Sequence, residues 1–327
     1  MGSVCIILAE AADVHVQKVM QHMGDFKDWE CVVLDSARAL KDLSVNLHLD
    51  KGSHIWEGDF NGKPLASIRS IWYRRPSRPK AEYIDINPEM ARLAEAEMRS
   101  VLDNFYRLVN CRILPHPTSD YEADFKLYQL HVAAAVGLKT PKTVVSNHES
   151  WIKFFSPDTN EFCIKALSAF HWWIDNNTEY ALKSARITRA DILEHAQDLH
   201  LCPMLIQEYV EKKYEWRVTI VGDSVFSCRL DSQRVRGAEE DWRQIDIALI
   251  PHEILPLPGD IVKKLLKYME FFKLNFGAFD LIEQPDGTFV FLECNPNGQW
   301  LWIELLTDAP ISKAIAQFLF HNEFRRG

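Results

Sequence analysis

The sequence predicts a mixed α/β protein, a leading α/β domain followed by α+β lobes, and three observations carry that expectation. The first is a β-α-β rhythm at the start: a short apolar run at Val4–Ala9, a helix-like stretch around Asp13–Met23, and a second run at Glu30–Leu34. The second is a long helical period, Met90, Leu93, Met98, Val101, Leu102, Phe105 and Leu108, that stops before Pro115-His116-Pro117. The third is a hairpin pattern near the end, Phe276 to Asn297, with Asp286-Gly287 at its tip.

Between these landmarks each segment follows from local pattern. Val45–Leu49 and His54–Phe60 alternate as strands, Asn61-Gly62 turns the chain, and Ala66–Tyr73 returns. A helix over Phe125–Val136 stops at Gly137, and Lys142–Val145 and Phe162–Ala166 read as short strands. Ile187–Leu199 is expected to be helical, capped by Thr188. Leu205–Tyr209, Trp216–Val221 and Val225–Leu230 are expected to form a new sheet, with Gly222-Asp223 turning between the last two. Arg234–Ile250 has many charges and weak periodicity, which predicts an active-site loop. Helix Ile261–Phe272 leads into the hairpin, and Ile311–Phe320 closes the chain as an amphipathic helix.

Composition excludes several classes of function. Lys+Arg 37 against Asp+Glu 46 gives a net charge of −9, which argues against general binding to nucleic acid or anionic membranes. The seven cysteines stand apart with no CxxC pair, as buried thiols in a reducing compartment would. No apolar run approaches the length of a membrane span and no basic segment precedes Val4–Leu8, so the protein is expected to be cytoplasmic. A homodimer is left open.

The hairpin holds the strongest chemical signal. With Asp286-Gly287 as a two-residue loop, Pro285 faces Thr288 and Asp280 lies opposite Glu293. Asn295 falls on the same face two residues on. Apolar neighbours make two adjacent carboxylates costly there, and a divalent cation removes that cost. An all-oxygen set of two carboxylates and an amide suits Mg²⁺ carrying a nucleotide. Lys165 ends an apolar strand and Lys126 opens a helix, two positions from which a lysine can meet phosphate. Gln207-Glu208-Tyr209-Val210 reads as a hinge whose main chain can meet an adenine. Glu215 is placed for a ribose hydroxyl, and Arg217 alternates onto its face.

The order of these features, two lysines, a Q-E-Y-V hinge, a glutamate and D-x12-E-x-N, resembles the ATP-grasp ligases from about residue 120 to 310. Ile71-Trp72-Tyr73-Arg74-Arg75-Pro76, Ser232-Gln233, Asp241-Trp242-Arg243 and the tail FLECNPNGQWLWIE extend the likeness over nearly the whole chain. With them the sequence is similar to the microviridin-type peptide maturases, the graspetide synthetases. One departure from the wider superfamily is that Ala166-Leu167-Ser168-Ala169-Phe170 lacks a glycine-rich phosphate loop.

The resemblance implies an ATP-grasp fold divided into a preceding domain, 1–118, a central lobe, 119–204, and a catalytic lobe, 205–327. It implies that Lys126 and Lys165 contact the phosphates of ATP, Gln207 to Val210 with Glu215 hold the nucleoside, and Asp280, Glu293 and Asn295 hold Mg²⁺. Arg217 and Arg243 would support the chemistry. Arg74, Arg75, Ser232 and Gln233 would meet an acidic core peptide. Trp172 and Trp173, with Asp191, Glu194 or Asp198 at the rim, would dock the leader of a ribosomal precursor. The implied reaction activates Glu or Asp side chains as acyl phosphates and joins them to Ser or Thr hydroxyls or Lys amines; both acceptors stay open. The rival readings are a ligase of the same fold acting on a free amino acid or small acid, and an idle ATP-binding scaffold.

Overall fold

The computed structural model describes all residues except 1, 11, 168–170, 176–177, 182–183, 195–198, 239–241, 243–244 and 322–327, with backbone alone at 149, 171–175, 178–181 and 199. The leading domain runs β1 (Ser3–Leu8), α1 (Val14–Met20), β2 (Trp29–Leu34), α2 (Ala39–Asp42), β3 (Val45–His48), β4 (Glu57–Phe60), β5 (Lys63–Pro64), β6 (Ile68–Tyr73), α3 (Pro88–Leu108) and β7 (Arg112–Leu114). Strands β2–β1–β6–β7 form a parallel sheet in that order, and β3–β4–β5 form a small antiparallel one. Asp13 starts α1 by accepting from the amides of His15 and Val16, and Asn87 does the same for α3 with Pro88 in its first turn. One face of the parallel sheet buries Ile6, Ile71 and Leu102, the last from α3. Its other face packs Cys5, Ile7 and Trp72 in one core with Ile315 and Leu319 of the closing helix.

The middle of the chain runs α4 (Pro117–Ala123), α5 (Lys126–Ala135), β8 (Thr143–Ser146), β9 (Glu161–Lys165), β10 (His171–Asp175), β11 (Thr178–Ala181), β12 (Ala185–Thr188), α6 (Arg189–Glu194) and β13 (Met204–Glu208). Two expectations change here. Strand β13, expected to open the last sheet, instead completes the order β12–β9–β13–β8. The expected helix from Ile187 begins only at Arg189, because Ile187 pairs with Phe162 as a strand residue and Asp191 closes a capping box with Thr188. Strands β10 and β11 form an antiparallel ribbon in a segment to which the sequence pattern assigns no element.

The last part runs β14 (Tyr214–Val221), β15 (Ser224–Leu230), β16 (His252–Ile254), α7 (Gly259–Phe272), β17 (Phe276–Glu283), β18 (Phe289–Asn295), α8 (Leu301–Thr307) and α9 (Ile311–Phe320). The antiparallel order is β16–β15–β14–β17–β18. One face of this sheet packs Trp216, Phe279 and Phe291 against α7, and Val132 and Ala133 of α5 join the same core. Helix α5 therefore belongs by packing to the last sheet. Among the described residues no helix is long and apolar enough to cross a membrane.

Candidate active site

The expected pair forms, by a different route. The hairpin loop has three residues, since Gln284 N–H donates to Thr288 O and Gly287 N–H to Gln284 O, with Gly287 alone at positive φ, +80°. Thr288 thus faces Gln284, not Pro285, which shifts Leu281, Ile282 and Glu283 onto Phe291, Val290 and Phe289. A bulge at Leu292 then restores the register, so Asp280 does pair with Glu293 and Ala278 with Asn295. The bulge also splits the faces: Phe291 and Cys294 turn into the core with Phe279 and Leu281, while Glu293 and Asn295 face the other way. Gln129 of α5 clamps this strand from behind, accepting from Cys294 N–H at 2.9 Å and donating to its carbonyl at 2.8 Å.

Strand β14 extends the pair into a row of three. Arg217 sits opposite Asp280, and its Nη1 donates to both carboxylate oxygens at 2.8 and 2.9 Å. Its Nη2 donates to Gln299 O at 3.0 Å. Arg217, Asp280 and Glu293 thus lie side by side across three strands, with Asn295 beside them. A guanidinium neutralises one carboxylate, and the remaining oxygens form a hard, all-oxygen set that fits a divalent cation. Among the described residues no group of three His, Cys, Asp or Glu side chains competes with this set.

Lys126 reaches the end of the strand that carries Lys165. Lys126 Nζ donates to Ala166 O at 2.8 Å, and Ala166 follows Lys165 at the end of β9. The hinge is less open than expected. Glu208 N–H donates to Lys142 O and Tyr209 N–H to Glu161 O, because β13 is a central strand with a neighbour on each side. Glu208 Oε1 accepts from Lys142 N–H, and buried Gln207 donates to Thr143 Oγ1 at 3.1 Å. The amides of Glu208 and Tyr209 are therefore not the ones that meet an adenine. Val210 N–H has no main-chain partner among the described residues. Glu215 reaches the site face with one oxygen held by Lys212 at 3.1 Å and by Ser232 Oγ at 2.8 Å. Burial pushes its pKa up, against the opposing pull of Lys212 and Ser232.

In front of the row opens a cleft of about 1040 Å³. Arg217, Asn295 and Gly298 line it. Tyr73 and Arg75 of the leading domain, Asp120 of α4, and Trp242 and Trp302, 5.3 Å apart between ring centroids, line it as well. Arg75 stands in the cleft with φ +48°. Arg74 does not. It is 2% exposed, pairs with Asp13 at 3.3 Å and donates to Asn297 O and Oδ1 and to Gly298 O, so it fastens the leading domain to the loop after Asn295. Burial lowers its pKa to about 10, partly offset by Asp13. Ser232 is likewise no peptide contact, since it is fully buried on Glu215, and Gln233 donates to it at 3.3 Å. Asp191 is occupied in capping α6, while Glu194 ends that helix exposed. Trp172 and Trp173 lie on β10 in backbone; their side chains, and Asp198 and Arg243 entirely, lie outside the described residues.

No family model and no curated protein matches the chain. Solved structures do. A Chryseobacterium gregarium RiPP-associated ATP-grasp ligase, in complex with ADP and a leader and core peptide, superposes with TM-score 0.86 at 27% identity, over 99% of this chain and 98% of that one. The macrocyclase MdnC of Microcystis aeruginosa, bound with precursor peptide MdnA, superposes with TM-score 0.80 at 29% identity, over 98% and 100%. The macrocyclase MdnB of the same organism gives 0.75 at 26% identity, over 98% and 100%. Over nearly its whole length the chain is similar to microviridin-type ATP-grasp ligases.

Three cleft residues carry no individual signal in the sequence. Asn297 donates to Tyr73 O at 2.9 Å and accepts from Arg74, so it closes the clamp from the other side. A Cβ at Gly298 would stand 2.7 Å from Ala278 Cβ and 3.0 Å from Arg217 Nη2, so only glycine allows this loop so near the row. Their signal was the Asn-Gly pair just past Asn295. Asp120 was legible only as a polar residue after the Pro-rich boundary. Nothing in the sequence announced that α4 would turn it toward the cleft.

Proposed function

We propose that the chain is an ATP- and Mg²⁺-dependent macrocyclase of a ribosomal precursor peptide. It activates Glu or Asp side chains as acyl phosphates and joins them to Ser or Thr hydroxyls or to Lys amines. The observation that carries this reading is the row Arg217–Asp280–Glu293, whose Arg217 and neighbouring Asn295 line a cleft large enough for a peptide. Asp280, Glu293 and Asn295 would hold Mg²⁺, which supplies positive charge to the phosphates of bound ATP. Lys126 and Lys165 would meet those phosphates, with Val210 at the adenine and Glu215 at the ribose. Arg217 sits where negative charge gathers, and Arg75 is placed to orient a peptide carboxylate. Arg243 is kept as a charge stabiliser of the loop.

The lobe division is proposed as 1–118, a central lobe extended through Glu208 because β13 completes its sheet, and the remainder. The leader would dock on the central lobe beside β10 and α6, with Glu194 at the rim. We place the protein in the cytoplasm, consistent with its seven free cysteines, without a nucleic-acid partner and with a homodimer as an open assembly. The test is mass spectrometry of the acidic, Ser/Thr- or Lys-containing short peptide encoded beside the gene. After incubation with enzyme, ATP and Mg²⁺, it should lose one water per ring. An unchanged peptide, with ATP consumed only when a free amino acid is added, would overturn the reading.

A further inference from the structure

Closing a ring requires more than an activated carboxyl. The attacking hydroxyl or amine must lose a proton as its bond to the acyl carbon forms, and a group at the site must take it. The described residues that line the cleft offer few candidates. Arg75 and Arg217 are guanidinium donors with no acceptor to offer, and Tyr73 is a phenol whose pKa burial and the nearby carboxylates raise. The carboxylates among these lining residues are Asp120 and Asp124. Asp124 ends α4 exposed, where water solvates it. Asp120 sits in the first turn of α4, partly buried in the cleft wall, and its carboxylate has no hydrogen-bond or ion-pair partner among the described residues. A half-buried carboxylate left open to a substrate cleft is placed to accept a proton.

We infer that Asp120 is the base that takes the proton of the acceptor nucleophile during ring closure. The inference rests on the macrocyclase reading and assigns a residue that reading did not use. In the step, the acceptor O–H or N–H gives its proton to the Asp120 carboxylate while the oxygen or nitrogen bonds to the acyl carbon. The acyl carbon–oxygen bond to phosphate breaks, and inorganic phosphate leaves with the electron pair. The cleft favours this division of labour. Arg217 and Asn295 enter the cleft from strands of the last sheet, and Asp120 enters it from α4, a separate element.

Burial, reinforced by Asp124 and opposed by Arg75, raises the Asp120 pKa to about 7. That range suits a base working near neutrality. Tyr73 from β6 and Cys294 from β18 are the other titratable groups that feel its charge.

The test separates activation from closure. Wild type and Asp120→Asn are each given peptide, ATP and Mg²⁺ in single turnover, with and without hydroxylamine, a nucleophile that is already neutral near pH 7 and needs no base. Asp120→Asn should slow ring closure by about 10²-fold or more, while hydroxamate formation at the peptide carboxylate stays within about threefold of wild type. The wild-type closure rate should rise with pH through about 7, and the residual rate of Asp120→Asn should lack that limb. Asp120→Glu should recover part of the closure rate. Closure by Asp120→Asn within about threefold of wild type would overturn the inference, and so would parallel loss of hydroxamate and ring. A wild-type enzyme that forms neither hydroxamate nor ring would instead sink the macrocyclase reading itself.

Discussion

The last sheet and the central lobe carry the two halves of the proposed nucleotide site, and they hold their residues by different means. In the last sheet, Arg217, Asp280 and Glu293 are fixed by cross-strand register, with Phe279 and Phe291 buried behind them and Gln129 clamping β18. In the central lobe, the sheet covers a small core of Trp151, Phe155, Phe162, Ile192 and Ile206. The end of its Lys165 strand is tied to α5 by a local contact, Lys126 to Ala166 O. The difference teaches where robustness lies. The groups proposed for the metal are set by a whole sheet, whereas the lysines proposed for the phosphates are set by contacts that one substitution can loosen.

The largest expected effect is on the row itself. Glu293→Gln keeps shape and loses charge, so the fold should persist while peptide cross-linking falls by about 10²-fold or more. Circular dichroism with product mass spectrometry checks both halves, and near-normal product from a folded variant would remove Glu293 from the site. Arg217→Ala should cost both stability and activity. It leaves Asp280, a mostly buried carboxylate, without the guanidinium that holds it at 2.8 Å, a loss of about 3–5 kcal/mol in denaturant titration. A stable Arg217→Ala variant would show that the row is not a rigid unit.

Much of this contrast was legible in the sequence, and the rest failed for physical reasons. Period-two alternation located Asp280, Glu293 and Asn295 on one face because the strands are long and buried. The loop has three residues where Asp286-Gly287 predicts two, and a bulge at Leu292 restores the register. Alternation cannot see a bulge. Likewise Arg74 and Arg75 look alike in sequence, and only the positive φ of Arg75 sends neighbouring side chains to opposite duties, one in the cleft and one in the Asn297 clamp. Strand β13 looked like the start of a sheet because apolar pattern marks a strand without naming its partners. The ribbon β10–β11 was missed because its strands are short and its sequence polar beyond Ile174.

Smaller effects sharpen the central-lobe side. Lys165→Ala should weaken ATP binding about tenfold or more, as loss of one charge-assisted phosphate contact would, with little change in melting temperature. Calorimetric titration with ATP and a thermal melt decide; lost stability with unchanged affinity would make Lys165 structural. Smallest is Asp191→Ala, which removes the capping box with Thr188 and should cost about 1 kcal/mol. Its effect on leader affinity should be minor beside that of Glu194→Ala. The reverse ranking, measured by fluorescence anisotropy with a labelled leader, would give Asp191 a direct leader contact.

The most direct measurement of the central claim is the ratio of ADP released to water lost from the peptide, taken in one reaction over the first turnovers. Each ring formed at the Arg217–Asp280–Glu293 row should release one ADP and remove one water from the same peptide. ADP release with the peptide mass unchanged, or ring formation without ADP, would contradict the account.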